Sequence, residues 1–271
     1  MLQRLVDISR TRYTWHNATN NVICEPLRFF YPRDEKDIID IIKEAEENHL
    51  RVRAVGSGHS FSEVAKINDF LMDMKYLRDA AKYESPWLKQ GALTRHFVIA
   101  DAGITIRRLN RLLDKMGLAL ENMGAVDFQT VSGALMTGTH GTGIKRPAFP
   151  DMVRALRIVG TGGKLTQIEP SDGITDPVFH QANSQIELIQ NDDIFYATVL
   201  SFGGMGIVYQ LVFEVRTSYY ISERRYLIPW SKLQVEMQNG SFMKMVQDND
   251  FVALRINPYV MKGDNLASVV V

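Results

Sequence analysis

A histidine set among glycines and hydroxyl residues occurs twice in this chain, and these are the places where its residue types could do chemistry. The first is Val55-Gly56-Ser57-Gly58-His59-Ser60-Phe61, at the exit of a β-branched run from Arg51 to Val55. Glycine lacks a Cβ and reaches φ > 0, so successive backbone N–H groups can turn inward to form an anion-binding concavity. Ser57 and Ser60 add hydroxyl donors, and His59 places an imidazole in the cradle. No Lys-Ser/Thr pair follows the glycines, and no helix start is legible after them. The loop is therefore neither an NTPase P-loop nor the G-x-G-x-x-G turn of a dinucleotide fold.

The second stretch runs from Asn122 to Gly143 and is dominated by glycine, threonine and other small residues. A backbone this bare is costly in conformational entropy and weak as helix or strand. That cost makes sense where the main chain must approach a flat or phosphorylated ligand closely. Neither loop contains lysine or arginine, since Lys145 and Arg146 come just after the second. If a pyrophosphate binds here, N–H and hydroxyl groups must carry its charge. One such loop alone could be a connector in a sheet protein; two, each holding a histidine, favour a ligand.

Other reactive residue types lead nowhere comparable. His16, His49, His96 and His180 have no carboxylate or histidine at ligand spacing, so they read as structural or surface residues and no metal site is expected. Cys24 is the single cysteine, which excludes an internal disulfide, and it reads as a small buried hydrophobe. No nucleophile elbow of a Ser-His-Asp hydrolase is present.

The elements that must hold the two loops can be read from periodicity. Asp34 as N-cap, Asp37 three residues on and an isoleucine stripe from Ile38 to Ile42 predict an amphipathic helix to about Asn48. Strands are expected at 51–55 and 70–77, after an irregular lead-in from Tyr13 to Tyr31. Residues 80–95 carry no clear period and read as loop or hairpin tip. A strand at 96–101 then precedes a second amphipathic helix from Thr105, stopped at Gly117. Arg107, Arg108 and Arg111 fall on its polar face and read as solvated. Val153–Val159 and Lys164–Ile168 around Thr161-Gly162-Gly163 spell a hairpin. Residues 170–190 look like an insertion without periodicity, 192–200 like a helix, and 206–215 like a long alternating strand. Beyond Thr217 a second α+β pattern begins, with strands near 221–228, 251–257 and 266–271 and one helix near 230–246.

The chain has 271 residues with 31 basic and 31 acidic side chains, a formal net charge of +0. Strong attraction to nucleic acid or anionic membrane is not indicated. No stretch approaches the roughly 18 apolar residues needed to span a bilayer, and the N-terminal segment does not read as a secretory signal. A soluble, reducing, cytoplasmic setting is the expectation. The last residues, Ala267 to Val271, are apolar where a natural terminus is more often polar, so a piece of a longer protein is expected.

The two loops also carry a resemblance. V-G-S-G-H-S-F followed by D-x-Q-T-V-S-G-A-x-x-T-G-T-H-G-T-G (Asp127 to Gly143) resembles the PCMH-type FAD-binding domain of the vanillyl-alcohol oxidase superfamily. Within it, the chain is similar to the sugar-1,4-lactone oxidases and alditol oxidases. Ser201 to Val215 is similar to the strand that ends that domain beside the adenosine, so three motifs occur in order between Leu27 and Thr217. The resemblance implies an α+β fold: a two-subdomain FAD-binding domain over 1–217 (subdomains about 1–80 and 81–217), then the start of an α+β cap, or substrate, domain over 218–271.

It further implies FAD as cofactor. Gly56, Ser57, Gly58 and Ser60 would wrap the pyrophosphate, and Val55 and Phe61 would also bind the cofactor. His59 stands where many members attach the flavin 8α-methyl to an imidazole nitrogen. Gly124, Ala125, Thr130, Gly133, Ala134, Thr137, Gly138, Thr139 and Gly141 would line the isoalloxazine and the remaining phosphate contacts. His140 would either contact the cofactor through its backbone or brace the loop with its ring; Ile207 would present main-chain groups to the adenine, and Gly206 beside it would also bind the cofactor. The implied reaction is oxidation of a hydroxyl-bearing carbon of a sugar lactone or polyol, with oxygen or another acceptor taking the electrons. The groups that polarise the substrate are expected in the cap beyond Val271. Arg255, the charged residue on a cap-like strand, reads as an ordinary strand charge. The 170–190 insertion has no counterpart in the pattern. A flavin reductase or dehydrogenase on the same scaffold, such as the enolpyruvyl-sugar reductases, and a catalytically incomplete FAD-binding module are the rival readings.

Overall fold

The computed structural model describes residues 2–84, 86–259 and 265–271. A short helix α1 (Leu2–Asp7) leads into β1 (Ser9–Arg10), the ribbon β2 (Trp15–His16) and β3 (Ile23–Cys24), and then β4 (Arg28–Phe30). Helix α2 (Glu35–Glu47) follows, with β5 (Val52–Val55) and β6 (Phe70–Asp73) after it. Asp34 caps α2 as expected, its side chain accepting from the Asp37 N–H at 2.9 Å. Asp37 itself is buried and pairs with Arg4 of α1, which locks the first two helices together. Ile38, Ile41, Ile42 and Ala45 form the buried face of α2, and the helix ends where His49 takes a left-handed φ of 57°.

Four strands pair in the order β1-β4-β6-β5, with β4, β6 and β5 parallel. Parallel neighbours usually need a helical crossover. Between β5 and β6, however, residues 56–69 hold only one turn of 3-10 helix, at Glu63–Ala65. The glycine loop thus sits at the carboxyl end of a parallel strand, where open α/β sheets place their ligands.

The second sheet begins with β7 (Ala80–Lys82) and β8 (His96–Asp101), followed by α3 (Ile106–Lys115), β9 (Leu118–Ala119) and α4 (Val131–Met136). It continues through β10 (Val153–Val159), β11 (Leu165–Glu169), α5 (Pro177–Asn183), β12 (Glu187–Gln190), α6 (Asp192–Val199) and β13 (Ile207–Thr217). Strand order is β12-β11-β10-β13-β8-β7, with β9 pairing the end of β13. One continuous core joins the sheets: Phe30, Phe70 and Met72 from the first, Leu156, Leu211 and Phe213 from the second, together with apolar residues of α2, α3 and α4.

Several expectations need correction. Residues 80–95 are not only loop, since Ala80–Lys82 pairs with β8 and Leu88 bridges Thr175; Ser85 lies outside the described residues. Residues 170–190 are ordered as α5 and β12 by polar contacts that hydrophobic periodicity cannot register. The fully buried Glu169 carboxylate accepts from Gln167 Nε2 at 2.7 Å, the Thr175 N–H at 3.0 Å and Gln190 Nε2 at 2.9 Å. Asp176 caps α5 by accepting from the Val178 and Phe179 N–H groups. The strand expected over 70–77 ends at Asp73.

The last part of the chain forms β14 (Arg225–Pro229), α7 (Trp230–Gln238), α8 (Ser241–Asp248), β15 (Ala253–Ile256) and β16 (Leu266–Val270). The strands pair in the order β14-β16-β15 around a separate small core of Ile228, Leu233, Ala267 and Val269. The single helix expected over 230–246 is two helices, broken where Gly240 adopts φ 82°. No helix of the described residues is long and apolar enough to cross a membrane.

Candidate functional site

The loop after β5 is held in shape by the lead-in segment rather than by its own sequence. The Ala18 N–H donates to Gly58 O at 2.8 Å, Asn17 Nδ2 to Ser60 O at 2.9 Å and Asn21 Nδ2 to Phe61 O at 2.7 Å. Asn17 is buried, and its Oδ1 accepts the Asn21 and Val22 N–H groups. Gly58 has φ 67°, a conformation a Cβ would strain, and Asn17, Ala18 and the Trp15 ring pack against it.

The two bare loops meet. Ser57 Oγ donates to Phe128 O at 2.6 Å. A Cβ on Gly56 would stand 2.0 Å from Thr130 Oγ1, so only glycine lets the first loop close on the second. The His59 ring lies parallel to the Phe128 ring, 9° apart in plane and 6.4 Å between centroids. The Arg107 guanidinium covers the Phe128 ring at 4.2 Å and grips Asp127 through two hydrogen bonds of 3.1 and 3.0 Å. The hydrogen bond from Arg107 holds the Asp127 carboxyl below the usual carboxylate range.

The second loop departs from expectation in one respect: its middle is helical. Thr130 caps α4, its Oγ1 accepting the Gly133 N–H at 3.3 Å. Val131, Ala134, Leu135 and Met136 provide the buried apolar face. The small residues do not prevent the helix because tertiary burial outweighs weak local propensity. Ser132, Gly133 and Thr137 are left on the side that faces the first loop, and all three line a cleft there.

That cleft has a volume of about 520 Å³, within the range of small-molecule sites. All seven residues of the first loop, Val55 to Phe61, line it. So do Gly133 and Thr137 of the second loop, and Gly206 and Ile207 at the start of β13. The remaining expected residues of the second loop lie off the cleft. Ala134 is fully buried in the core, while Thr130 is buried as cap and as the surface on which Gly56 rests. Gly138, at φ 68°, carries the chain out of α4. Thr139, His140 and Gly141 pack back on Asn122–Gly124: a Cβ on Gly141 would stand 2.0 Å from Asn122 Oδ1, and one on Gly124 2.8 Å from Thr139 Cγ2. Ala125 and His140 are exposed, with His140 Nδ1 against its neighbour's Gly141 carbonyl at 3.1 Å.

Sequence reasoning missed Trp15, Arg53, Gln129 and Phe202, which also line the cleft, and Asn17 and Asn21, which fix its first loop. The side chains of Arg53 and Val55 share one face of β5 by strand alternation, and that signal was available in the sequence. The asparagines carried no such signal. Of the other histidines, His16 and His96 are exposed, whereas His180 is buried edge-on to Trp87 at 5.5 Å. Cys24 is buried.

His59 Nδ1 is enclosed and has no hydrogen-bond partner. A buried polar atom left unsatisfied costs stability, so such an atom on a cleft wall is best explained by a bound group that completes it.

Comparison with known proteins gives a consistent result. Residues 26–169 match the FAD binding domain family. The chain is 30% identical over 200 residues to the L-gulono-1,4-lactone dehydrogenase of Mycobacterium tuberculosis, covering 74% of this chain and 40% of that protein. It is 29% identical over 202 residues to the L-gulonolactone oxidase of Scyliorhinus torazame, with the same coverage of 74% and 40%. With the D-arabinono-1,4-lactone oxidase of Debaryomyces hansenii it shares 25% identity over 263 residues, 95% of this chain and 42% of that one. The chain thus spans about two-fifths of the length of these relatives. Among solved structures, the cholesterol oxidase of Brevibacterium sterolicum superposes with a TM-score of 0.71 at 16% identity, over 98% of this chain and 48% of that one. A solvent-stable cholesterol oxidase gives 0.74 at 18% identity, again over 98% and 48%. At such identities the structural likeness speaks for the PCMH-type fold.

Proposed function

The chain belongs to the FAD binding domain family, and from that premise we propose that it serves an FAD-dependent oxidation of a hydroxyl-bearing carbon in a sugar lactone or polyol. One observation carries the reading: two glycine-rich loops from different sheets touch through Ser57 and Phe128 and frame a cleft with an unpartnered imidazole in its wall. The residues present fit the cofactor. Backbone N–H groups of Gly56 to Ser60 and the Ser60 hydroxyl suit the pyrophosphate, and Gly133 and Thr137 offer a low, polar wall for a flat ring. Gly206 and Ile207, which line the cleft at the start of β13, would face the adenosine. Thr130, Gly138, Thr139, Gly141 and Gly124 serve by shaping the loop from behind.

Bound FAD supplies a two-electron acceptor, which the amino acids themselves lack. The chain's own residues along the cleft would bind and orient that acceptor. His59 is the candidate for covalent attachment: its Nδ1 makes no hydrogen bond, and a neutral imidazole is a competent nucleophile. Residues 1–217 are read as the FAD-binding part and 218–271 as the beginning of a substrate domain. Oxygen or another acceptor would complete the cycle. The sugar-lactone relatives support the substrate class. Balanced charge and a single cysteine agree with a reducing, cytoplasmic setting.

Acid precipitation of the purified protein followed by an absorption spectrum tests this. Yellow pellet means a covalent flavin, and His59→Ala is then expected to move the colour to the supernatant. Yellow supernatant from the parent means a dissociable flavin and removes the covalent link. A folded, colourless protein that takes up no added FAD would defeat the proposal altogether.

A further inference from the structure

The cleft is charged in one way only. None of its lining residues is aspartate, glutamate or lysine, and one is arginine, Arg53. This side chain comes from β5, outside both loops, so the charge of a bound pyrophosphate need not rest on N–H and hydroxyl groups alone. Arg53 Nη1 donates to Val64 O at 2.5 Å on the first loop's side. It also reaches Phe202 O at 3.3 Å, a contact spanning 149 positions of sequence to the loop before β13. Two carbonyls from opposite walls therefore hold one nitrogen of the fork in place. Among the described residues Arg53 has no carboxylate partner, and its Nε and Nη2 make no hydrogen bond. Several other arginines are paired with acids: Arg107 with Asp127, Arg154 with Glu214, Arg51 with Asp69, Arg146 with Glu121.

We propose that Arg53 is the phosphate-binding cation of the cleft, a positioning residue whose pinned guanidinium presents its two free N–H edges to the anionic bridge of the dinucleotide. This rests on the reading that the cleft holds FAD. Planar, forked donors match phosphate oxygens, and a fork already immobilised loses little entropy on binding. Holding the guanidinium by backbone carbonyls also keeps its charge uncancelled. A carboxylate in the same place would compete with the ligand.

The test compares Arg53→Met and Arg53→Lys with their parent, all in a His59→Ala background so that binding stays reversible. Trp15 lines the cleft, so quenching of its fluorescence reports binding. Titrations with FAD and with riboflavin, which has no phosphate, are run at several salt concentrations, alongside thermal unfolding of each apoprotein. The expected result is a loss of FAD affinity of roughly 10- to 100-fold in Arg53→Met, the range for one charge-assisted contact. The salt dependence should flatten, and Arg53→Lys should recover part of the affinity. Riboflavin affinity and apoprotein melting should change little. Unchanged FAD affinity, or an unchanged salt slope, overturns the proposal. So does an equal loss for FAD and riboflavin together with a lower melting temperature, which would make Arg53 a brace between the walls. If this parent and the unaltered protein alike take up neither flavin, the FAD reading itself has failed, which is a separate outcome.

Discussion

Replacing Asn17 with alanine tests whether the first loop is shaped from outside. The side chain is 2% exposed and serves groups on both sides. Its Oδ1 accepts from the Asn21 and Val22 N–H groups, each at 3.1 Å, and its Nδ2 reaches Ser60 O at 2.9 Å. Alanine leaves the buried Val22 N–H and the Ser60 carbonyl without these partners, while the exposed Asn21 N–H can turn to water. Each buried group left unsatisfied costs about 1–3 kcal/mol, so two give a loss of roughly 2–6 kcal/mol. Urea unfolding would show this as a lower midpoint with the slope unchanged. Because the Asn17–Ser60 bond is one of three ties from the lead-in to the loop, flavin content should fall in parallel. A loss below about 1 kcal/mol, the size of one ordinary hydrogen bond, with normal flavin content would refute the idea that this asparagine sets the cradle.

Two further outcomes follow from the same structure. Gly56→Ala should destabilise sharply, because its Cβ would meet Thr130 Oγ1 at 2.0 Å. Adding Thr130→Ala should recover part of the loss despite removing the α4 cap, a non-additivity that a double-mutant cycle by chemical denaturation will measure. Burial holds the His180 imidazole below its ordinary pKa, with Glu169 opposing and Arg157 assisting. The unfolded chain then takes up a proton that the folded chain refuses. Stability should hold above about 6.5, the ordinary histidine value, and fall as pH drops below it. His180→Phe should flatten that slope in urea unfolding measured between about pH 7 and pH 5.

What could be read from the sequence was whatever announces itself locally. Helix α2 was legible because Asp34 and the isoleucine stripe are both short-range signals, and β10, β11 and β13 because apolar residues alternate along them. Helix α4 was not, since a run of serine, glycine and alanine has little helical preference and is ordered by burying Val131 and Leu135. Strand β12 and helix α5 were hidden for a related reason: the groups that fix them, Glu169, Gln167 and Gln190, become partners only after the chain has folded. Arg53 was legible as a strand residue, yet its meaning depends on Phe202, far away in sequence.

The cleft walls belong to different sheets, but they do not belong to different cores. Phe30 and Phe70 beneath one wall and Leu156 and Phe213 beneath the other are members of a single buried cluster. Pulling the walls apart would expose those rings, at about 25 cal/mol for each Å² of apolar surface, so the gap between them is set by packing before any ligand arrives. The polar contacts across it, Ser57 to Phe128 and Arg53 to Phe202, then fix the lip rather than create it. A site of this construction loses little freedom on binding, which lowers the entropic cost that weakens flexible sites. It also explains why the bare loops are tolerable: their conformational cost is met within the folding of the chain, and the cofactor meets donors that already point the right way.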